Sequence, residues 1–230
     1  MADGYVAGGD TGRCVLSVPP PRLHGPDGQP GVGLLLTDAP SLHRSTASPS
    51  PWIVRWSHLV PPEATVLDIA CGSGRHLAWF AQRGHAVTGI DRDLAPAQKA
   101  CAPGTLVCAD IEAQPWPLMA GGQPQVFGAL VVTNYLWRPL WQTMLQSVAP
   151  GGVFLYETFA AGNETVGRPA RPEFLLQPGE LLNVCKDLQV IAYENGFLDG
   201  PARFVQRIAA IRPGAPGYSK NWSERYTRLG

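Results

Sequence analysis

The segment from Val66 to Asp91 constrains the fold of this chain more than any other stretch of its sequence. It opens with a short apolar run that ends at Ile69, and such a run is typical of a parallel strand buried on both faces. The run stops at a turn of small residues that contains Gly72 and Gly74. Glycine at these positions permits a positive φ and lets a ligand lie against the main chain. The segment therefore predicts a strand followed by a tight, ligand-accessible turn.

The rest of this segment predicts a helix and a second strand. Apolar residues on one face indicate a helix over about 75–83, and Gly84 stands where a left-handed C-cap is expected. A second apolar strand, 86–90, then ends in Asp91. Because the carboxyl ends of parallel strands share one edge of an open sheet, we expect Asp91 beside the glycine turn.

Two phosphate-binding interpretations of the turn fail on spacing. A P-loop needs Lys followed by Ser or Thr after its last glycine, but here Gly74 is followed by Arg75 and His76. A dinucleotide fingerprint needs a third glycine where this chain has Leu77. An NAD-dependent oxidoreductase is thus disfavoured, although it stays an alternative.

Acidic residues end both strands, with Asp68 before the turn and Asp91 after it. This arrangement resembles the first two motifs of class I S-adenosylmethionine-dependent methyltransferases, with Ala70 in place of a common glycine. The ligand carries a sulfonium and an amino group that favour a carboxylate, and a ribose diol that needs a bidentate acceptor. The resemblance implies an α/β fold: a Rossmann-like, doubly wound, seven-stranded sheet with a reversed final strand. For each aspartate, a role in capping a turn or helix is the competing interpretation.

Further cofactor-binding residues follow from the resemblance. The third strand, 105–109, ends in an acid and an apolar residue, which in the family contact the adenine amine and the ring face. The cofactor-binding set that the resemblance implies is Asp68, Ala70, Cys71, Gly72, Gly74, Asp91, Arg92, Asp110, Ile111 and Asn134. A simple turn aspartate is the alternative for Asp110.

The fourth strand, 126–132, is followed by the residues where the family places its methyl acceptor. Here these are Asn134 and Tyr135, which we take as candidate catalytic residues. They lack the prolines of the motif found in some amino-methyltransferases, so methylation of a nucleobase amine is not expected. A strand-end turn with a core aromatic residue is the alternative.

An irregular segment, 160–177, follows the fifth strand and carries Arg168 and Arg171 between prolines. Two arginines on a loop at the carboxyl edge could clamp an anionic substrate, and a solvated loop is the alternative. If the reaction uses a general base, the candidates by location are His76, Tyr135, Tyr156 and Glu157.

The ends of the chain are predicted to contribute little to the fold. Residues 1–49 are rich in Gly, Pro and Ser and are predicted to be a disordered extension; 50–212 form the methyltransferase domain, and 213–230 a loose tail. Pro51 begins a predicted helix, which resembles the helix that covers the cofactor site in class I methyltransferases. The last two strands, 188–193 and 202–211, are predicted to pair in antiparallel fashion through a link at Asn195 and Gly196.

Composition and charge limit the kinds of partner that this chain is expected to bind. The formal net charge is zero and no block of like charge occurs, so nucleic acid or an anionic membrane is not supported as a partner. The chain has no apolar run of membrane-spanning length and no secretory signal pattern, so a cytoplasmic location is expected. Its five cysteines form no C-x-x-C pair and indicate reduced thiols. No metal site is predicted.

These observations predict a methyltransferase that uses S-adenosylmethionine and acts on a small molecule. The segment after the fifth strand resembles, more loosely, the tellurite-resistance and thiopurine-type small-molecule methyltransferases. A thiol or a metalloid oxyanion would need little help from a base, which favours it as acceptor. A non-catalytic cofactor-binding regulator and a methyltransferase acting on RNA or protein are the alternatives.

Overall fold

A computed structural model describes residues 15–17, 48–100 and 102–214 of the chain. Ten strands and five α-helices occur in this part. In chain order the strands are β1 (Val15–Ser17), β2 (Val66–Ile69), β3 (Val87–Asp91), β4 (Thr105–Cys108), β5 (Met119–Ala120), β6 (Gln123–Pro124), β7 (Phe127–Thr133), β8 (Val148–Phe159), β9 (Gln189–Asp199) and β10 (Ala202–Ile211). The helices are α1 (Pro51–Trp56), α2 (Arg75–Ala81), α3 (Ala95–Lys99), α4 (Trp141–Gln146) and α5 (Glu180–Val184).

The main sheet has the strand order β1-β4-β3-β2-β7-β8-β10-β9, and β5 and β6 form a separate small hairpin. Strands β4, β3, β2, β7 and β8 pair in parallel, whereas β10 is antiparallel to both of its neighbours. The predicted doubly wound sheet with a reversed final strand is therefore confirmed. Its seven strands, β2 to β4 and β7 to β10, form the class I methyltransferase fold.

An eighth strand, β1, joins the edge of this sheet. Val15–Ser17 pairs in antiparallel fashion with β4, opposite residues 105–107. The strand falls within the extension that the composition predicts to be disordered, so these three residues depart from that expectation. The rest of the extension up to residue 47, and the tail from residue 215, lie outside the described residues.

The link between the last two strands differs from the prediction. Asn195 and Gly196 lie inside β9, opposite Gln206 and Val205 of β10. The turn is made instead by a Gly-Pro pair at 200–201, which follows the end of β9. The antiparallel pairing was predicted correctly but the position of the turn was wrong, because cross-strand pairing overrides the local turn preference of Asn-Gly.

Helix boundaries also follow local chemistry. The Ser50 side chain accepts a hydrogen bond from the Trp52 N–H and so caps α1, and Pro51 occupies the first turn, where a missing N–H costs nothing. After α1 a 3₁₀ turn, Ser57–Leu59, carries the apolar face on to Leu59. Helix α2 ends two residues earlier than expected, and Gly84 adopts the left-handed conformation predicted for it, with φ +84°.

Both faces of the sheet are covered, which leaves the strand ends as the place for a ligand. One apolar cluster packs α1 and α2 against the sheet through side chains such as Trp52, Leu77 and Phe80. The other packs α4 and α5 through Met144 and Leu181. Within the described residues, no helix combines the length and the apolar character required to cross a membrane.

Candidate active site

A cavity of about 360 Å³ opens at the carboxyl ends of β2, β3 and β4. The parallel register places the end of β2 beside that of β3, with Ile69 opposite Ile90, and the end of β3 beside that of β4, with Asp91 opposite Cys108. The residues that follow these strands therefore meet in one place. The cavity is lined by Ala70, Ile90, Asp91, Arg92, Ala109, Asp110, Ile111, Glu112, Tyr135 and Phe174.

The turn after β2 is held in a left-handed conformation. Ala70, Gly72 and Gly74 have φ values of +54°, +55° and +73°. The conformation costs Ala70 roughly 1 to 2 kcal/mol, whereas glycine adopts it freely. A Cβ added to Gly72 would meet no atom within 4 Å, whereas one on Gly74 would lie 2.5 Å from the Cβ of Ala102. Gly72 thus faces open space, and Gly74 is required by close packing.

Asp91 joins this turn to β3. Its Oδ2 accepts a hydrogen bond from the Gly72 N–H at 2.8 Å, and its Oδ1 accepts one from the Asp93 N–H at 3.0 Å. Each carboxylate oxygen has a second acceptor position, so Asp91 can still bind a ligand while it fixes the turn. The cap role and the ligand role considered from the sequence are therefore compatible.

Asp110, which follows β4, holds a turn and also faces the cavity. Its Oδ1 accepts hydrogen bonds from the N–H groups of Glu112 and Ala113 at 3.1 and 3.2 Å, which is the arrangement of a turn aspartate. Asp110 also lines the cavity, beside the buried side chain of Ile111. The pair thus offers a carboxylate acceptor and an apolar surface to a planar ring.

The charges around the cavity are mainly negative. Three carboxylates, those of Asp91, Asp110 and Glu112, line it together with one guanidinium, that of Arg92. Such a field repels a pyrophosphate and attracts a cation. The electrostatics therefore argue against a dinucleotide and suit a nucleoside with a positive charge.

Of the two candidate catalytic residues that follow β7, Tyr135 lines the cavity and Asn134 does not. Tyr135 is half-buried, and its hydroxyl is buried beside the Glu112 carboxylate. Burial, followed by the negative charge of Glu112, raises the pKa of Tyr135, so the hydroxyl stays protonated and can donate. Asn134 is exposed, has a φ of +55°, and donates its backbone N–H to the Glu157 carbonyl at 2.9 Å.

The Asp68 carboxylate lies beneath the turn rather than in the wall of the cavity. The residue is 1% exposed, and neither carboxylate oxygen has a hydrogen-bond partner among the described residues. The nearest cationic or potentially cationic group is His76, whose Nδ1 lies 3.6 Å from Asp68 Oδ2. A buried carboxylate without partners is costly, which marks Asp68 as a position that favours a cation.

The two loop arginines lie away from the cavity. Arg171 has a side chain that is 77% exposed and forms a loose pair with Glu173 at 3.8 Å. Arg168 is exposed as well, and neither residue lines the cavity. Their role as an anion clamp remains a prediction without a contact that supports it.

Two of the four candidate bases are engaged elsewhere. Tyr156 is completely buried, and its hydroxyl donates to the Tyr135 carbonyl oxygen at 2.5 Å. The Glu157 carboxylate accepts hydrogen bonds from the Ser50 hydroxyl at 3.1 Å and from Arg207 at 3.2 Å. Neither Tyr156 nor Glu157 lines the cavity, so neither is placed to take a proton from a substrate there.

Cys71 is a buried thiol within the turn. Burial, and then the charges of Asp68 and Asp91, raise the pKa of Cys71, so the thiol is protonated and a poor nucleophile. It is free, as are Cys108 and Cys185, while residues 14 and 101 lie outside the described part. In that part no cluster of three or more His, Cys, Asp or Glu side chains is suited to a metal ion.

Sequence reasoning missed two notable residues of the wall, Glu112 and Phe174. Glu112 directly follows the Asp-Ile pair, so its place at a strand end was a usable signal. Phe174 comes from a distant loop that Arg138 holds in place. Arg138 donates to the carbonyl oxygens of Glu173 and Leu175 at 2.7 and 3.0 Å, and no local motif encodes such contacts.

Comparisons with known proteins show similarity to methyltransferases in sequence and in fold. Residues 66–152 match a family model described as a methyltransferase domain. A search of the curated proteins gave no match. Among solved structures, TehB from Haemophilus influenzae is 21% identical with a TM-score of 0.55, and the alignment covers 70% of this chain but only 61% of TehB.

Two further solved structures align with this chain over their whole length. A SAM-dependent methyltransferase from Methanosarcina mazei is 14% identical, with a TM-score of 0.54 and coverage of 74% of this chain and 100% of its own. The glycopeptide N-methyltransferase MtfA, complexed with S-adenosyl-L-methionine, is 22% identical, with a TM-score of 0.51 and coverage of 77% and 100%. At these identities the likeness concerns the fold.

Residues 66–152 match the methyltransferase-domain model, and the solved structures share the fold of this chain. Both findings support the class I S-adenosylmethionine-dependent methyltransferase, and the methyl donor, predicted from the sequence.

Proposed function

We propose that this chain transfers the methyl group of S-adenosylmethionine to a small-molecule nucleophile, with a thiol or a metalloid oxyanion as the favoured acceptor. The observation that carries the proposal is the acidic cavity at the carboxyl edge, in which Asp91 and Asp110 stand beside apolar walls. When bound, the cofactor supplies an electrophilic methyl group on a positively charged sulfur. The residues of this chain have to bind the cofactor and orient the acceptor.

The residues around the cavity fit the nucleoside half of the cofactor. Asp91 is fixed by two backbone N–H groups and has acceptor capacity left for the two hydroxyls of a ribose. Asp110 can accept from the adenine amine, and Ile90 and Ile111 provide apolar surface for the ring. Gly72 leaves room for the ligand against the backbone.

The remaining cofactor-binding candidates surround this centre. The buried Asp68 carboxylate, which has no hydrogen-bond partner in the described part, suits the amino group of the cofactor. Arg92 lies at the cavity, where it limits the excess of negative charge. The backbone of Ala70 and Cys71 completes the turn, and Gly74 lets Ala102 pack closely against it.

The acceptor is proposed to enter beside Asn134 and Tyr135. The Tyr135 hydroxyl is protonated and can donate a hydrogen bond that orients the acceptor. Because Tyr156 and Glu157 are buried in other contacts, a nucleophile that is already reactive at neutral pH is favoured. Methyl transfer from a sulfonium to such a nucleophile depends mainly on alignment and exclusion of water.

A methyl-transfer screen tests this proposal. The purified chain is incubated with S-adenosylmethionine labelled in its methyl group and with panels of thiols, metalloid oxyanions, RNA and protein. We expect labelled product from a thiol or an oxyanion, and loss of that product when Asp91 is changed to Ala. Lys186→Ala serves as the control, because this exposed side chain lies outside the cavity and has no predicted role in binding.

The alternatives give different results in the same screen. Label transferred only to RNA or protein would replace the proposed acceptor class. Tight cofactor binding without any labelled product would favour a regulator that binds S-adenosylmethionine but does not react it. Binding of NAD in preference to S-adenosylmethionine would overturn the proposal.

A further inference from the structure

His76 lies between the cofactor turn and the start of α1 and contacts both. It stands in the first turn of α2 and is 1% exposed. Its Nε2 accepts a hydrogen bond from the backbone N–H of Ser50 at 3.1 Å. Because a backbone N–H can only donate, Nε2 must carry a lone pair, which puts the proton of the neutral ring on Nδ1. That Nδ1–H faces Asp68 Oδ2 at 3.6 Å.

The first partner, Asp68, needs a cation or a donor. Both of its oxygens are buried and without hydrogen-bond partners within the described ranges. The Nδ1–H of His76 lies just beyond hydrogen-bonding distance and can orient one oxygen. The other oxygen is then left for a ligand ammonium, which a neutral imidazole does not repel.

The second partner, Ser50, fixes the start of α1. Its hydroxyl oxygen accepts from the Trp52 N–H at 3.2 Å and donates to Glu157 Oε1 at 3.1 Å. Its backbone N–H is the group bound by His76. The buried side chains of Trp52 and Ile53 follow directly, so the position of Ser50 sets where α1 lies on the sheet.

We propose that His76 is a positioning residue with two separate tasks, one at each ring nitrogen. Nδ1–H orients the Asp68 carboxylate towards the amino group of the bound cofactor, and Nε2 holds the start of α1 at the edge of the site. This inference rests on the proposed function, since it assumes that S-adenosylmethionine is the ligand. It replaces the role of general base that the sequence suggested for His76, because Nε2 is engaged and Nδ1 carries a proton.

Two substitutions separate the tasks. His76→Asn keeps an amide N–H near the position of Nδ1 but loses the acceptor at Nε2, whereas His76→Gln keeps an acceptor near Nε2 and loses the donor at Nδ1. Affinity is measured by calorimetry with S-adenosylmethionine and with methylthioadenosine, which lacks the amino-acid end. Hydrogen exchange of the peptide spanning 48–56 reports on the start of α1.

His76→Gln is expected to weaken binding of S-adenosylmethionine by about tenfold, with methylthioadenosine affinity unchanged and exchange in 48–56 as in the wild type. His76→Asn is expected to keep the affinity for both ligands within about twofold but to speed exchange in 48–56 by about tenfold. Equal effects of the two variants, or equal losses for the two ligands, would show a merely structural role and overturn the inference. If the wild-type chain bound neither ligand, the proposed function itself would be contradicted, and the inference about His76 together with it.

A second pair of variants leaves His76 untouched in case its replacement prevents folding. Ser50 has φ −57°, which proline can adopt, so Ser50→Pro removes the N–H donor and the hydroxyl, whereas Ser50→Ala removes only the hydroxyl. We expect faster exchange in residues 52–56 for Ser50→Pro than for Ser50→Ala. Identical exchange in the two variants would contradict a role for the bond to Nε2.

Discussion

The two sides of the candidate site are built in different ways. On the donor side, around β2, β3 and β4, the polar residues stand at the ends of their own strands. Asp91 and Asp110 accept hydrogen bonds from N–H groups close in sequence, and Asp91 also accepts one from Gly72. Asp110 is bound by the N–H groups two and three residues further on, and Asp91 by that of Asp93. On the acceptor side, around β7 and β8, contacts join distant segments, as between Arg138 and Glu180.

This difference explains which features could be read from the sequence. A carboxylate that directly follows an apolar strand is visible in the residue order, and the parallel sheet brings such residues together. The carboxylate of Glu157, by contrast, is buried by residues about 50 positions further along and by Ser50. The account therefore predicts that loss of the buried Glu157 carboxylate on the acceptor side affects stability most, whereas loss of a donor-side carboxylate affects ligand binding.

The largest expected effect on stability comes from Glu157. Its carboxylate, 1% exposed, pairs with Arg203 at 3.5 Å and Arg207 at 3.2 Å. Glu157→Ala should cost about 3 to 5 kcal/mol, because it removes the carboxylate partner of Arg203 and leaves the partly buried Arg207 with Glu194 alone. Urea denaturation measures the loss. Glu157→Gln is the matched control and should lose less free energy of unfolding, since its side chain can still accept a hydrogen bond from Ser50. Equal losses in the two variants would contradict the role of the ion pairs.

Two glycines on the donor side provide the next comparison. A Cβ at Gly89 would lie 2.7 Å from Leu77 Cδ1 and 2.8 Å from Cys71 Sγ, whereas one at Gly72 would meet no atom within 4 Å. Gly89→Ala should therefore cost about 1 to 3 kcal/mol through overpacking. Gly72→Ala should cost about 1 to 2 kcal/mol through its positive φ and should also weaken S-adenosylmethionine binding.

Thermal denaturation and cofactor titration of these two glycine variants separate the effects. If Gly72→Ala leaves binding unchanged, the open space beside Gly72 is not the cofactor site.

A smaller effect is expected at Arg138. Its Nε lies 2.6 Å from Glu180 Oε1, and its other nitrogens bind carbonyl oxygens of the loop that carries Phe174. Since the side chain is 36% exposed, solvent screening limits the expected loss for Arg138→Ala to about 1 kcal/mol. Hydrogen exchange in residues 172–180 should become faster. Arg171→Ala, which removes only a loose exposed pair, should change neither quantity.

The smallest effect concerns pH. Burial by itself would raise the pKa of Glu180, but hydrogen bonds from Arg138 and from the Gln177 N–H outweigh it and lower the pKa below its ordinary value. A carboxyl group with a lowered pKa in the folded state adds stability at neutral pH, and this contribution is lost as the pH falls through that lowered value. Urea denaturation at several values between pH 7 and about pH 3 gives the free energy of unfolding at each pH. This free energy should fall less steeply with decreasing pH in Glu180→Gln than in the wild type. The same pH dependence in both proteins would contradict the lowered pKa of Glu180 as a source of stability.

The fold was largely predictable, because the apolar runs and the acids that follow them dictate parallel strands and a shared edge. That Asp91 and Asp110 meet at one cavity was predictable for the same reason, while their contact with a cofactor stays a prediction. The position of the last turn was not predictable, since the pairing of β9 with β10 decides it against the local preference at Asn195. Phe174 was not predictable either, because the Arg138 contacts that hold its loop depend on the folded chain.

The most direct test of the central claim is a calorimetric titration of the wild-type chain and of Asp91→Ala with S-adenosylmethionine. Loss of a charged bidentate acceptor should weaken binding by roughly 10-fold to 100-fold, while the fold persists. Binding of equal affinity to both proteins would remove Asp91 from the site and contradict the account of the acidic cavity as the place of the methyl donor.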